Sequence, residues 1–213
     1  MLPMQDPGLA VQELERAAKL PGMRAVYMAE AINGRNLDDK SFWPVYERCE
    51  ALGLPIFLHP LYPCGIERMG KYFMRNLLGN PYEAGLAAAS LIFGGVMDAF
   101  PRLDVMLPHA GGAFPWLIGR FDRGVEVSRE LKHMNQPASA YLRRFHYDTI
   151  THHPKIMRAV IDLVGADRIV LGSDYNQDMG YERPVDFVER IPGLSARERE
   201  MILSGNAARL LRI

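Results

Sequence analysis

Five short, apolar, partly β-branched runs recur along this chain, each followed by at least one stretch with helical spacing. They are Arg24 to Glu30, Pro55 to His59, Asp104 to His109, Phe145 to Thr149 and Arg168 to Asp174. Runs of this length bounded by turn residues read as buried strands. Strands that alternate with helices build βα units and a parallel sheet, as in a (β/α)8 barrel or an open doubly wound sheet. The doubly wound form would gain from a G-x-G-x-x-G run after an early strand, and none occurs.

The intervening stretches carry their own boundaries. Leu9, Leu14, Ala17 and Ala18 share one face of a stretch from Leu9 to Leu20, the pattern of an amphipathic helix. A second helix runs from Phe42 to Leu52, with Pro44 in its first turn and Gly53 suited to a left-handed C-cap. Asn80-Pro81-Tyr82-Glu83 offers an N-cap, a first-turn proline and an acid before the run from Leu86 to Phe100. His153-Pro154 opens a helix that ends at Gly165, and Ser195-Ala196-Arg197-Glu198 is a capping-box pattern.

With 213 residues and 48% of them hydrophobic, the chain can bury the core of one large domain covering residues 1–213. Its 25 Lys+Arg balance 25 Asp+Glu, leaving no bulk field to attract nucleic acid or an anionic membrane. No apolar stretch approaches the ~18 residues of a membrane span, and Met1 to Asp6 lacks the regions of a signal peptide. A cytoplasmic protein with two free thiols, Cys49 and Cys64, is the expectation.

The polar residues of the strands gather at their carboxyl ends. His59, His109 and Asp174 close three of them, with Asp148 and His152 near the end of a fourth. In an α/β barrel the catalytic groups come from that rim. Taken singly, each histidine reads as a hydrogen-bonded structural residue. Two imidazoles and a carboxylate at equivalent positions instead point to a nitrogen–oxygen site for zinc or another divalent ion, or to a general base. His133 and His146 read as structural. The glycines of His109-Ala110-Gly111-Gly112-Ala113-Phe114-Pro115 imply positive φ, a close approach to the main chain, or a tight strand-to-helix turn. Arg120, in the following helix, reads from sequence alone as a solvated side chain.

These residues resemble the decarboxylase branch of the amidohydrolase superfamily. Similar elements run through Leu2-Pro3-Met4-Gln5, Phe57-Leu58-His59-Pro60, Lys71-Tyr72, Phe93-Gly94-Gly95-Val96 and Phe100-Pro101. They continue through the block from His109 to Arg120, Gly172-Ser173-Asp174-Tyr175 and Gly205-Asn206-Ala207. The resemblance implies a (β/α)8 barrel with one divalent metal, zinc or in some relatives manganese, catalysing non-oxidative loss of CO2 from an unsaturated or aromatic carboxylate. By position, His59 and Asp174 match metal ligands, and His109 matches the acid/base histidine. Arg120 matches an arginine that enters the neighbouring subunit's site, which implies a homodimer, and His152 is placed with it in substrate binding. A hydrolase or hydratase acting on a lactone or ring-cleavage product uses the same rim.

The chain departs from that pattern in two places. Tyr175-Asn176-Gln177-Asp178-Met179 replaces a more apolar, proline-bearing stretch. The family's first strand carries His-x-His, which occurs nowhere here. Barrels of this class need about 250 residues, so the expectation is an incomplete barrel comprising about the last five βα units. Leu2-Pro3-Met4 then reads as the tail of a sixth strand. Met1 would be an internal start, with ~100 further residues carrying His-x-His. The rival expectation is a catalytically inactive fragment lacking those ligands.

Overall fold

The computed structural model describes residues 2–213. Five strands occupy the expected runs: β1 (Val26–Ala29), β2 (Ile56–His59), β3 (Val105–Leu107), β4 (Phe145–Asp148) and β5 (Ile169–Val170). They form one sheet in the order β1-β2-β3-β4-β5, with every neighbouring pair parallel. The sheet does not close, so the architecture is a partial α/β barrel.

The helices form because their ends and faces agree. In α1 (Pro7–Ala17) the Asp6 side chain accepts from the Leu9 amide at 3.1 Å, and Ala10, Leu14 and Ala17 are buried. Helix α2 (Trp43–Leu52) ends on Gly53 at φ 62°. Helix α6 (Pro154–Val164) buries Met157, Val160, Ile161 and Val164, one stripe at helical spacing. The capping box at Ser195 forms as expected at the start of α8 (Ala196–Glu200).

Three local expectations are corrected. The third helix does not begin at an Asn80 cap: a π-helical turn, Arg75–Gly79, runs into α3 (Asn80–Phe93), so Asn80 is already helical. Nor does that helix reach Phe100. The chain turns at Gly94-Gly95, with Gly95 at φ 77°, before the single turn of α4 (Val96–Ala99). Finally, Leu2 to Met4 is not strand but an irregular entry to α1, with Met4 buried in the core.

Burial alternates along β2 and β3, whereas β4 and β5 are buried throughout. Ile56 and Leu58 face the helical layer, while Phe57 and His59 are half-buried on the other face. Tyr27, Phe57 and Met106 border a cavity on that face, which a closed barrel turns inward. The outer layer continues with α5 (Phe114–Val127), α7 (Pro184–Glu189) and α9 (Asn206–Leu211). Strand β5 stops after two residues because the Leu171 amide turns to the Ile202 carbonyl at 3.1 Å. The buried Asn206 amide donates to the carbonyls of Ala166 and Ile169 at 2.8 and 2.6 Å, tying the C-terminal helix to the approach of β5. No helix among the described residues is long and apolar enough to cross a membrane.

Candidate metal centre

His59 is the last residue of β2, so its imidazole stands at the carboxyl rim of the sheet. Its Nδ1 lies 3.0 Å from the Pro60 carbonyl, which accepts from Nδ1–H and leaves Nε2 aimed into the site. That Nε2 lies 3.4 Å from Asp174 Oδ1. Tyr27 stacks on the His59 ring at 5.7 Å between centroids and sets its plane.

His109 is presented differently. Beyond β3 the chain enters a left-handed run, with φ of 54° at His109, 51° at Ala110, 81° at Gly111 and 54° at Gly112. Such backbone is costly for residues with side chains and persists only where the surroundings hold it. Asp148, at the end of β4, supplies the hold. Its carboxylate accepts from the amides of His109, Ala110 and Ile150 at 3.0, 2.8 and 2.9 Å. At Gly112 a Cβ would also overlap the Pro81 carbonyl of α3. The glycine block thus has both positive φ and a close approach, and the approaching group is protein backbone.

The third strand-end residue, Asp174, lies in the loop after β5 at φ 50°, and His152, after β4, is at φ 57°. His59, His109 and Asp174 each offer a ligand atom, all within 4.8 Å of one another. The structure therefore brings together the three residues singled out at the strand ends. Two imidazoles and a carboxylate suit a first-row divalent ion. The His109 Nδ1 is buried without a hydrogen-bond partner among the described residues, as fits an atom awaiting one.

The site's electrostatics follow from these contacts. The bond to Asp174 holds His59 above the usual imidazole range, and the same bond holds Asp174 below the usual carboxylate range. Burial pushes His109 down, opposed by the charges of Asp148 and Asp174. Burial pushes the Asp148 carboxyl up, against the pull of His109 and three amide donors. A metal ion taking His59 Nε2 must displace the proton shared with Asp174. Affinity is then expected to fall about tenfold per pH unit below the raised His59 pKa, a decline that starts above the ordinary value of about 6.5. Zinc titrations between pH 5.5 and 8 check this, and a flat affinity would contradict it.

A cavity of about 230 Å³ opens from His109 and Asp174. His152, Thr151 and Asn76 supply its polar edge, and Trp116, Ile150, Ile156, Leu77 and Met179 supply apolar walls. His152 leans on Tyr181 at 5.1 Å, and Tyr181 stacks on Phe187. Arg120 is exposed on α5, outside the cavities that hold His109 and Asp174. His146 is buried in β4 and lies 3.4 Å from Asp104, toward the amino ends of the strands and away from the carboxyl rim, while His133 bonds to the carbonyls of Glu130 and Phe93. Sequence reasoning missed Asn76, Thr151 and Trp116, which lie on no strand end and carry no spacing signal. It also missed the role of Asp148, which depends on a backbone conformation invisible before folding.

The chain is 36% identical over 212 residues to 2-amino-3-carboxymuconate-6-semialdehyde decarboxylase of Dictyostelium discoideum, covering 99% of this chain and 59% of the relative. Among solved structures, 5-carboxyvanillate decarboxylase from Sphingomonas paucimobilis superposes with a TM-score of 0.88 at 29% identity, covering 98% of this chain and 64% of that one. A dihydroxybenzoic acid decarboxylase from Polaromonas, with bound manganese and the inhibitor 2-nitroresorcinol, gives a TM-score of 0.87 at 27% identity, covering 100% and 68% respectively. The chain thus spans about three-fifths of the length of the Dictyostelium relative. The amidohydrolase family profile matches residues 1–213, and the chain belongs to that family.

Proposed function

We propose that the chain supplies the metal centre of a non-oxidative decarboxylase acting on an aromatic or unsaturated carboxylate. The observation that carries this reading is the convergence of His59, His109 and Asp174, from three different strand ends, to within 4.8 Å. His59 and Asp174 hold the ion, zinc or manganese, and His109 stands beside it as the proton carrier. When bound, the ion supplies a Lewis acid that polarises a substrate oxygen. The chain's own residues do the rest. His109, whose pKa burial pushes down, takes up one proton from solvent water and delivers it to the carbon that the carboxylate leaves. The carbon–carbon bond breaks, its electron pair stays on that carbon, CO2 departs, and the proton takes its place. His152, braced by Tyr181, and the apolar walls around Trp116 orient a flat acid in a cavity smaller than drug-sized pockets of about 300–1,000 Å³.

By resemblance Arg120, exposed on α5, clamps a carboxylate in the site of a neighbouring copy, which makes the assembly a homodimer. The free thiols of Cys49 and Cys64 are in keeping with a reducing cytoplasm.

The test is CO2 release, measured on the polypeptide at its endogenous length after an intact-mass measurement, with zinc or manganese and a panel of aromatic and muconate-type acids. Metal-dependent release of CO2 is expected. Ring opening or hydration without CO2 would assign the chain to hydrolase or hydratase chemistry. A folded protein inert toward the whole panel would leave it a non-catalytic fragment.

A further inference from the structure

A second cavity, of about 360 Å³, is lined by His59, and its wall carries Arg75 and Asn76. Asn76 also borders the cavity that holds His109 and Asp174, and His59 itself lines the same cavity as Arg75. Arg75 opens the π-helical turn Arg75–Gly79, an arrangement that re-aims side chains and recurs at functional sites. The Arg75 guanidinium is aimed: its Nη2 donates to the Leu61 carbonyl at 2.6 Å, and its Cζ lies 5.8 Å from the centre of the Tyr62 ring. That bond uses one of five donors, and no carboxylate among the described residues pairs with the rest. The acid on that wall is Asp178, in the loop beyond Asp174.

We propose that Arg75, with Asn76 beside it, binds a second anionic group of the substrate within the same chain. The ligand class is then a flat acid bearing two carboxylates, or a carboxylate and an ionised hydroxyl. One group is directed to the His59–Asp174 centre and the other to the guanidinium fork. The inference rests on the decarboxylase reading for the first group only. A planar fork held by a backbone carbonyl loses little freedom on meeting a carboxylate, so the subsite selects for the second charge. Asp178 acts against it by like charge, which keeps an empty site from retaining stray anions.

Calorimetric titration of the zinc-loaded protein with isophthalate and with benzoate tests this. Arg75→Ala is expected to weaken isophthalate by about tenfold while moving benzoate by less than about twofold. Arg75→Lys should recover only part of the loss, and Asp178→Asn should tighten isophthalate several-fold. An equal loss for both ligands, no loss for either, or a wild-type protein that does not bind isophthalate would overturn the subsite. The two readings fail separately. If CO2 release is absent while the Arg75-dependent preference for the dicarboxylate persists, the decarboxylase reading falls and the subsite stands. If CO2 is released and Arg75→Ala keeps the wild-type preference, the reverse holds.

Discussion

Asp174→Ala is expected to lower divalent-metal affinity by about a hundredfold or more, whereas His109→Ala keeps the metal and loses turnover by about 10²–10⁴-fold. The asymmetry comes from how the two side chains are held. Asp174 provides the only carboxylate of the cluster and lies 3.4 Å from His59 Nε2, so its removal strips both a ligand and the group that orders another. His109 is positioned by its backbone, through Asp148 and the left-handed run, and its ring can be deleted without disturbing the His59–Asp174 pair. Metal content after dialysis, measured beside CO2 release, separates the outcomes. Metal retained by Asp174→Ala would break the ligand assignment, and metal lost from His109→Ala would make that histidine a ligand in place of a proton carrier.

Asp148→Ala should be the most destabilising single change at the site. The carboxylate accepts from three amides around the rim, two of them on residues held at positive φ. Removing it leaves donors buried without partners, each costing about 1–3 kcal/mol, so a loss of about 3 kcal/mol or more is expected. Asp148→Asn keeps one acceptor oxygen and turns an amide donor toward the others, so it should cost less overall. The amide signals of His109, Ala110 and Ile150 should nevertheless shift in its NMR spectrum. Urea unfolding of both variants gives the energies. A cost under about 1 kcal/mol for the alanine variant would show that the left-handed run holds without Asp148.

How much of this was legible in the chain depends on the range of the interactions involved. The five strands were readable because each is a short run of apolar residues closed at one end by a polar one, as in Ile56 to His59 and Val105 to Leu107 before His109. The carboxyl-rim residues were readable because polar groups that interrupt such runs at one end need a reason to be there. Helix ends marked by side-chain chemistry, such as Ser195 with Glu198 and Gly53, also appeared where expected. Features set by backbone competition were not readable. The π-helical turn before Asn80 adds one residue to a helix and leaves no spacing signature. The break at Gly94-Gly95 looked like helix because the apolar residues on either side keep the same rhythm. The early end of β5 is decided by the Ile202 carbonyl, some thirty positions further along. At the site itself, the identities of His59, His109 and Asp174 could be read, whereas the staple at Asp148 and the Arg75–Asn76 wall exist only once α3 and β4 are packed beside them.

The most direct test of the central claim is a crystal structure of the protein soaked in millimolar zinc, with diffraction recorded on both sides of the zinc edge. An anomalous peak is expected at the carboxyl rim, about 2.0–2.2 Å from His59 Nε2 and from an Asp174 carboxylate oxygen, with the His109 ring facing it. No peak between those two residues, or a peak held elsewhere on the chain, would contradict it.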